Sequence, residues 1–387
     1  MAKINYTCGI DIGTHTTRVV VLGFSKESDT PEIIATGSAE TEGMRLGYVQ
    51  SVEYVAASIK RAVNQAEKTL GQRIKRAHVS IGGISLASVV TTGEAVTSRA
   101  DQEVTHLDVT KALTQSEENL DITNKRILHI LPLGYKLDGK EILGRPEGMK
   151  GIKLEIRTLF IVANKQHIED LEEAFSLAGI EIEELIAGPI ATSTILLSQK
   201  QKAAGCALLD IGAETVSLAL FENNKPLSLQ VFSIGGMDIT KDIALGFRIS
   251  LDDAENLKKG AYAGNEFPRR KVDEIIDARL GDIFELVSNH LKRQRRNELL
   301  PAGVVVCGGG AHISKIEESI KSQLRLPCRS GSSESPIHIE DASWYMPYAL
   351  ASYNKNNDAS NESGGGTRAT LKNAKDFFKT ILTQLLP

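Results

Sequence analysis

Cysteine is scarce in this chain of 387 residues: four are present, Cys8, Cys206, Cys307 and Cys328, and no two form a Cys-x-x-Cys pair. Without that spacing a zinc or redox motif has no signature, and three of the four lie in or beside apolar strand-like runs, as buried packing residues do. Positive charge is not in excess. The formal net charge is −4, so the footprint of a nucleic-acid binder is missing and no nucleic acid is expected as a partner. Long apolar runs are missing too. No stretch reaches the roughly 18 uninterrupted apolar residues of a spanning helix. The start, MAKINYTCGIDIG, enters a strand pattern without a signal peptide's apolar core. These absences predict a soluble, cytoplasmic body. With 41% hydrophobic and 24% charged residues, the chain is large enough for two globular domains.

What is present is a long-range repeat. CGIDIGTHTTRVVVLGF and CALLDIGAETVSLALF share Asp-Ile-Gly-x-x-Thr, beginning at Asp11 and Asp210, and each reads as a β-hairpin with a polar turn. After the first copy, Val52, Val55, Ile59, Val63, Ala66 and Leu70 recur at helical spacing and lead to a strand, AHVSIGG. After the second, VFSIGGMDIT leads into three helical patterns, and the apolar strand GVVVCGGGA at 303–311 opens a further helix, HISKIEESIKSQL. Helices crossing between strands predict two similar α/β halves.

Three glycine-containing turns emerging from buried strands can meet in one cleft between such halves. A carboxylate leading each hairpin suits Mg²⁺, which takes oxygen ligands and keeps several waters. Backbone amides of the turns can cradle phosphate where no Cβ intervenes. The blander reading, in which the glycines only end strands, accounts for one turn more easily than for three.

The two Asp-x-Gly hairpins, Gly235-Gly236, the ExxK of Glu255 and Lys258, and VVVCGGGAHI together resemble the actin and heat-shock chaperone ATPase superfamily. The resemblance implies an actin-like (ribonuclease H-like) two-domain α/β fold with a nucleotide cleft. It implies that Asp11 and Asp210 flank Mg²⁺ and ATP, and that Gly13, Thr14, His15 and Thr16 together with Gly212, Ala213, Glu214 and Thr215 wrap the phosphates. Glu255 and Lys258, one helical turn apart, would reach the adenosine, with Gly308, Gly309, Gly310 and His312 beneath it.

The segment between the halves does not match an actin-type insertion. ILHILPLGYKLDG, PEGMKGIKLE and QVFSIGGMDITKDIALGFRISLDDAENLKKGAYA resemble the FtsA family of bacterial actin-like division proteins, and the similarity runs from about residue 7 to 350. The implied layout is a first ATPase half at 1–81 and an inserted small α/β subdomain at 82–160. The chain then returns to the first half at 161–199, forms the second half at 200–239 with a smaller subdomain at 240–298, and closes through both halves at 299–351. The resemblance further implies that the insert makes filament contacts and faces other division proteins, and that 240–298 contacts the FtsZ C-terminal peptide; a weak ATPase at most is expected. Arg269, Arg270, Lys271, Lys292, Arg293, Arg295 and Arg296 are the cationic groups there that could meet an acidic peptide.

Residues 352–370, SYNKNNDASNESGGGTRAT, are too polar to bury a core and read as a disordered linker. Beyond them Leu371, Ala374, Phe377, Phe378, Ile381, Leu382, Leu385 and Leu386 form one apolar stripe at helical spacing. Lys372, Lys375 and Lys379 lie on or beside the opposite face. Such lysines favour anionic lipid by about 1 kcal/mol each, so 371–387 reads as an amphipathic membrane helix. The expected location is the cytoplasmic face of the membrane at the division site. Two other functions remain open at this level: a pilus-assembly scaffold resembling PilM, to which DIGAETVSLAL is somewhat nearer, and a small-molecule kinase of the same superfamily. Glu214 is the discordant residue, since FtsA and actin relatives usually carry glycine there. A carboxylate about 4 Å from phosphate at an effective dielectric near 20 is repelled by roughly 4 kcal/mol, so its side chain must turn away, pair, or weaken the nucleotide.

Overall fold

In the computed structural model, residues 5–24, 31–260, 267–331, 339 and 341–353 are described. The expected linker beyond Tyr353 and the stripe at 371–387 lie outside them.

The chain opens with β1 (Tyr6–Ile12), β2 (Thr16–Gly23) and β3 (Glu32–Glu40), followed by a small hairpin of β4 (Met44–Arg45) and β5 (Tyr48–Val49). Helix α1 (Val52–Leu70) starts where Ser51 accepts the Tyr54 N–H and stops at Gly71 in the left-handed conformation. Its buried stripe, including Val55, Ile59, Val63, Ala66 and Leu70, is the one its periodicity predicts. Strand β6 (Arg76–Ile81) then leads into the insert: β7 (Ala87–Val96), α2 (His106–Glu118), β8 (Lys125–Leu137), β9 (Lys140–Ile142) and β10 (Lys153–Asn164). The first half resumes with α3 (Lys165–Ala178), β11 (Glu181–Ala187), α4 (Gly188–Leu196) and the short α5 (Gln199–Ala204).

The second half is β12 (Cys206–Ile211), β13 (Val216–Glu222), β14 (Lys225–Phe232), α6 (Gly236–Phe247), α7 (Leu251–Lys258), α8 (Arg269–Arg293), β15 (Val304–Cys307), α9 (Ile316–Leu324) and β16 (Cys328–Ser330). Helix α10 (Tyr345–Ser352) returns to pack on β1 and α4. Ser352 therefore closes a helix, and the Tyr353 ring lies 6.2 Å from that of His78. The folded body runs two residues into the segment read as linker, because Tyr353 is aromatic and packs, half-buried, against the core.

The repeat seen in the sequence is a repeat of topology. The first sheet has the order β11-β6-β1-β2-β3, and the second begins β16-β15-β12-β13-β14. In both, the hairpin strands pair antiparallel while the two outer strands add in parallel. The second sheet does not stop at β14, however. It continues through β7, β10, β8 and β9 of the insert, joined at the register Gln230↔Ala87. Ser88 reinforces the join by accepting the Leu229 N–H at 2.8 Å, and Lys225 Nζ donates to the Leu133 carbonyl at 2.8 Å. All four cysteines are buried and free. Among the described residues no helix is long and apolar enough to cross a membrane.

Candidate functional site

Antiparallel hairpins in both halves turn at the same end of their sheets, and their turns face each other across a cavity of about 570 Å³. Each turn closes on itself: the Gly13 N–H donates to Thr16 O at 3.2 Å and the Gly212 N–H to Thr215 O at 2.9 Å. Helix α6 begins on the second turn, with Gly236 N–H bonded to Gly212 O at 2.9 Å and Met237 N–H to Ala213 O at 2.7 Å. Its N-terminal end, carrying partial positive charge, therefore borders the cavity. Helix α4 begins there too, with Gly188 and Pro189 lining the wall.

Asp11 and Asp210 end the first strand of each hairpin and meet at the floor. Burial raises the Asp11 carboxyl against the opposing hydrogen bond from Ser80 and the charge of Arg18. Burial, and then the charge of Asp11, pushes Asp210 up to about 7. A carboxyl raised by its burial and by the charge of a neighbouring aspartate is the arrangement a cation relieves. No group of three or more metal-ligating side chains occurs among the described residues. Two carboxylates at one floor suit a hard ion that brings its own waters or phosphate oxygens.

At the adenosine end as the resemblance draws it, Lys258 Nζ lies 2.6 Å from Glu255 Oε2, 2.8 Å from Thr240 Oγ1 and 3.0 Å from Gly236 O. Thr240 donates to Glu255 at 2.6 Å. Burial pushes Glu255 up, but the bonds from Lys258 and Thr240 outweigh it and leave the carboxyl below its ordinary value. Opposite, His312 Nε2 sits 3.0 Å from Asp341 Oδ1. The strand β15 lies parallel to β12 with Cys307 beside Asp210, and the Gly308–Gly310 backbone passes over Asp210 and Ile211.

Of the residues singled out in the sequence, Asp11, Gly13, Thr14, His15, Thr16, Asp210, Gly212, Ala213, Thr215, Gly236, Glu255, Lys258, Gly308, Gly309, Gly310 and His312 line this one cavity. Gly235 does not; it packs behind the second turn, where a Cβ would fall 2.6 Å from Ala213 O. Glu214 does not either, which corrects its assignment to the phosphate cradle. Its Oε2 accepts the Leu46 N–H at 2.6 Å, on the other half of the molecule. The carboxylate turns away from the turn it belongs to because an amide of the β4–β5 hairpin is within reach.

Sequence reasoning missed Ser80, Arg18, Gly82, Gly83, Thr192 and Met346, all of which line the cavity. Ser80 is the most consequential: it donates to Asp11 Oδ1 at 2.7 Å and accepts the Ile12 N–H at 3.3 Å. SIGG at 80–83 ends the strand parallel to β1 as CGGG at 307–310 ends the strand parallel to β12. That likeness was the available signal.

The family model "Cell division protein FtsA" matches residues 207–352, and the model for the SHS2 domain inserted in FtsA matches 83–162. Cell division protein FtsA of Bacillus subtilis (strain 168) is 29% identical over 365 residues, covering 89% of this chain and 82% of its own length. The Pseudomonas aeruginosa FtsA is 28% identical over 345 residues, covering 84% and 82%. Among solved structures, the fold is similar to one from the PilM-PilN type IV pilus biogenesis complex, with TM-score 0.68, 18% identity, and 90% and 98% of the two chains covered. MreB5 of Spiroplasma citri bound to ADP has TM-score 0.54 and 13% identity, with 92% and 99% covered. These likenesses establish the actin-like fold, and the two family models together span more than half of the sequence, one of them on the insert itself. The chain belongs to the FtsA family of cell-division proteins.

Proposed function

We propose that this chain is an ATP- and magnesium-binding division scaffold that self-associates, engages the FtsZ C-terminal peptide and other division proteins, and is held on anionic membrane by residues 371–387. The observation that carries the nucleotide part is the convergence of both Asp-Ile-Gly-x-x-Thr turns and the Gly308–Gly310 strand end on one cavity floored by Asp11 and Asp210. These aspartates would hold the magnesium, directly or through water, while the turns and the N-terminus of α6 receive phosphate oxygens. Magnesium would supply neutralisation of phosphate charge. Hydrolysis is expected to be slow. Of the carboxylates lining the cavity besides the two aspartates, Glu255 is paired with Lys258 and Asp341 with His312, so neither is uncommitted as a base.

Self-association draws support from the insert, where Val96, Leu107, Leu143, Met149 and Ile152 are exposed apolar side chains on one small unit. For the FtsZ peptide, Leu245 and Leu251 are exposed in 240–298 alongside the cationic groups at the start of α8. The membrane part rests on the apolar stripe and lysines of 371–387. A PilM-like role draws on one short stretch, DIGAETVSLAL, and on a fold likeness at 18% identity, which carries no function.

Calorimetry of ATP with and without Mg²⁺ tests the cleft: the wild type binds and Asp210→Asn loses the magnesium-dependent part. Binding of equal strength in both, or none in the wild type, defeats the reading. Deleting 369–387 should release the protein from anionic liposomes, and unchanged co-sedimentation would remove the membrane claim.

A further inference from the structure

The hairpin of β4 and β5 pairs Arg45 with Tyr48 around Leu46 (φ 50°) and Gly47 (φ 75°). Two consecutive positive φ values define a type I′ turn, and the first turn residue contributes no N–H to the ladder. The Leu46 amide therefore faces outward, and among the described residues its acceptor lies in the other half. Glu214, 168 residues later and on the opposite half, supplies the acceptor at 2.6 Å. Gly47 also lines the cavity mouth and packs directly on the Gly83 backbone. The carboxylate is half-buried, so water competes only partly for this charge-assisted bond.

We propose that Glu214 is a positioning residue: a strut that holds the second phosphate turn against the first half and sets how often the cleft opens. The proposal rests on reading the cavity as a nucleotide site. Its chemistry differs from repulsion of phosphate in one measurable way. The bond joins the halves without entering the cavity, so it favours the closed arrangement whether or not the cavity is filled. A contact that favours both forms alike leaves the binding equilibrium nearly unchanged. Its removal should speed capture and release together.

The test uses the full chain and a methylanthraniloyl-labelled ATP with Mg²⁺. In the nucleotide-free wild type the Leu46 amide exchanges slowly with deuterium, read by mass spectrometry over 44–49. In Glu214→Ala it exchanges about tenfold faster, equivalent to ~1.4 kcal/mol. Stopped-flow capture and release both quicken by a similar factor, while the affinity changes less than about threefold. Glu214→Gln keeps an uncharged acceptor and falls between. Unchanged Leu46 exchange in Glu214→Ala overturns the strut. So does tighter binding achieved through capture alone, which would mean that the carboxylate repels phosphate. Should the wild type bind no labelled ATP, the nucleotide reading fails, and amide exchange alone decides whether the strut exists.

Discussion

Replacing Gly308 by alanine places a methyl group against Asp210, the residue proposed to hold magnesium. Gly308 has φ 78° and ψ 179°, a region essentially reserved for glycine and costing another residue about 1–3 kcal/mol. The added Cβ would fall well inside contact distance of Asp210 Oδ1 and 2.7 Å from Ile211 O. Backbone on one side and a buried carboxylate on the other leave little room to relax, and Asp210 must retreat by about 1 Å to restore van der Waals contact. Overpacking of this kind costs about 1–3 kcal/mol. The total of about 2–6 kcal/mol is a large part of the ~5–15 kcal/mol that holds a folded domain. Gly309→Ala is the internal control, because a Cβ there meets nothing within 4 Å. Urea unfolding of the nucleotide-free protein, followed by circular dichroism, should show Gly308→Ala destabilised by that amount. Gly309→Ala should stay within about 0.5 kcal/mol of wild type. Displacement of Asp210 should also weaken magnesium-dependent ATP binding at least about tenfold, the equivalent of one charged hydrogen bond. Equal midpoints for Gly308→Ala and wild type, with equal magnesium dependence, would refute the argument.

Ser80→Ala removes the donor to Asp11 and leaves the Ile12 N–H unpaired. It should cost about 1–3 kcal/mol in stability and raise the magnesium concentration needed for half-maximal ATP binding, with Ser80→Thr restoring both. An unchanged magnesium titration would show that Ser80 does not steady Asp11. His129 accepts the Ala187 N–H on Nε2 at 2.9 Å, and complete burial lowers it from the ordinary 6.5 to about 3. A proton on Nε2 would confront that N–H, so the ring is neutral in the fold. Between these values the unfolded chain binds the extra proton; this histidine's contribution is complete above pH 6.5 and is lost as pH falls, by about 1.4 kcal/mol per unit. His129→Gln keeps an acceptor without the linkage, so its stability should fall less steeply between pH 6 and 4. Parallel pH–stability curves for the two proteins would contradict it.

What the sequence disclosed and what it withheld follow a physical division. The Asp-Ile-Gly-x-x-Thr turns and the α1 stripe are local patterns, with every residue that defines them within a few positions, so hairpins and helix could be read directly. Ser80 was harder to read: SIGG marks a strand end much as CGGG does, but only the parallel pairing of β6 with β1 brings its hydroxyl to Asp11. Glu214 was legible as an anomaly and illegible as a solution. Its partner is a backbone amide that any residue at position 46 would carry, freed by a turn geometry that Leu46 does not advertise. Gly235 misled for the opposite reason: a conspicuous Gly-Gly pair placed both residues in the nucleotide site, yet close packing behind the turn requires the first glycine.

The continuous second sheet has a mechanical consequence. The insert departs from the first half after β6 and returns to it at α3, but its edge strand is hydrogen-bonded to the second half. The insert is thus tied to both halves, to the first also through His129 Nε2, which accepts the Ala187 N–H at 2.9 Å. Rotation of one half against the other must therefore strain one of these attachments, the β14–β7 junction with its Ser88 and Lys225 bonds or the His129 contact, or carry the insert along as a lever. From Ala87 at that junction, β7 extends nine residues to Val96, about 30 Å at strand spacing. A turn of about 10° at the fulcrum would swing the far end through about 5 Å at that radius. Val96, the residue at that end, is 70% exposed, so small motions at the cleft would be displayed as large ones where another molecule can feel them.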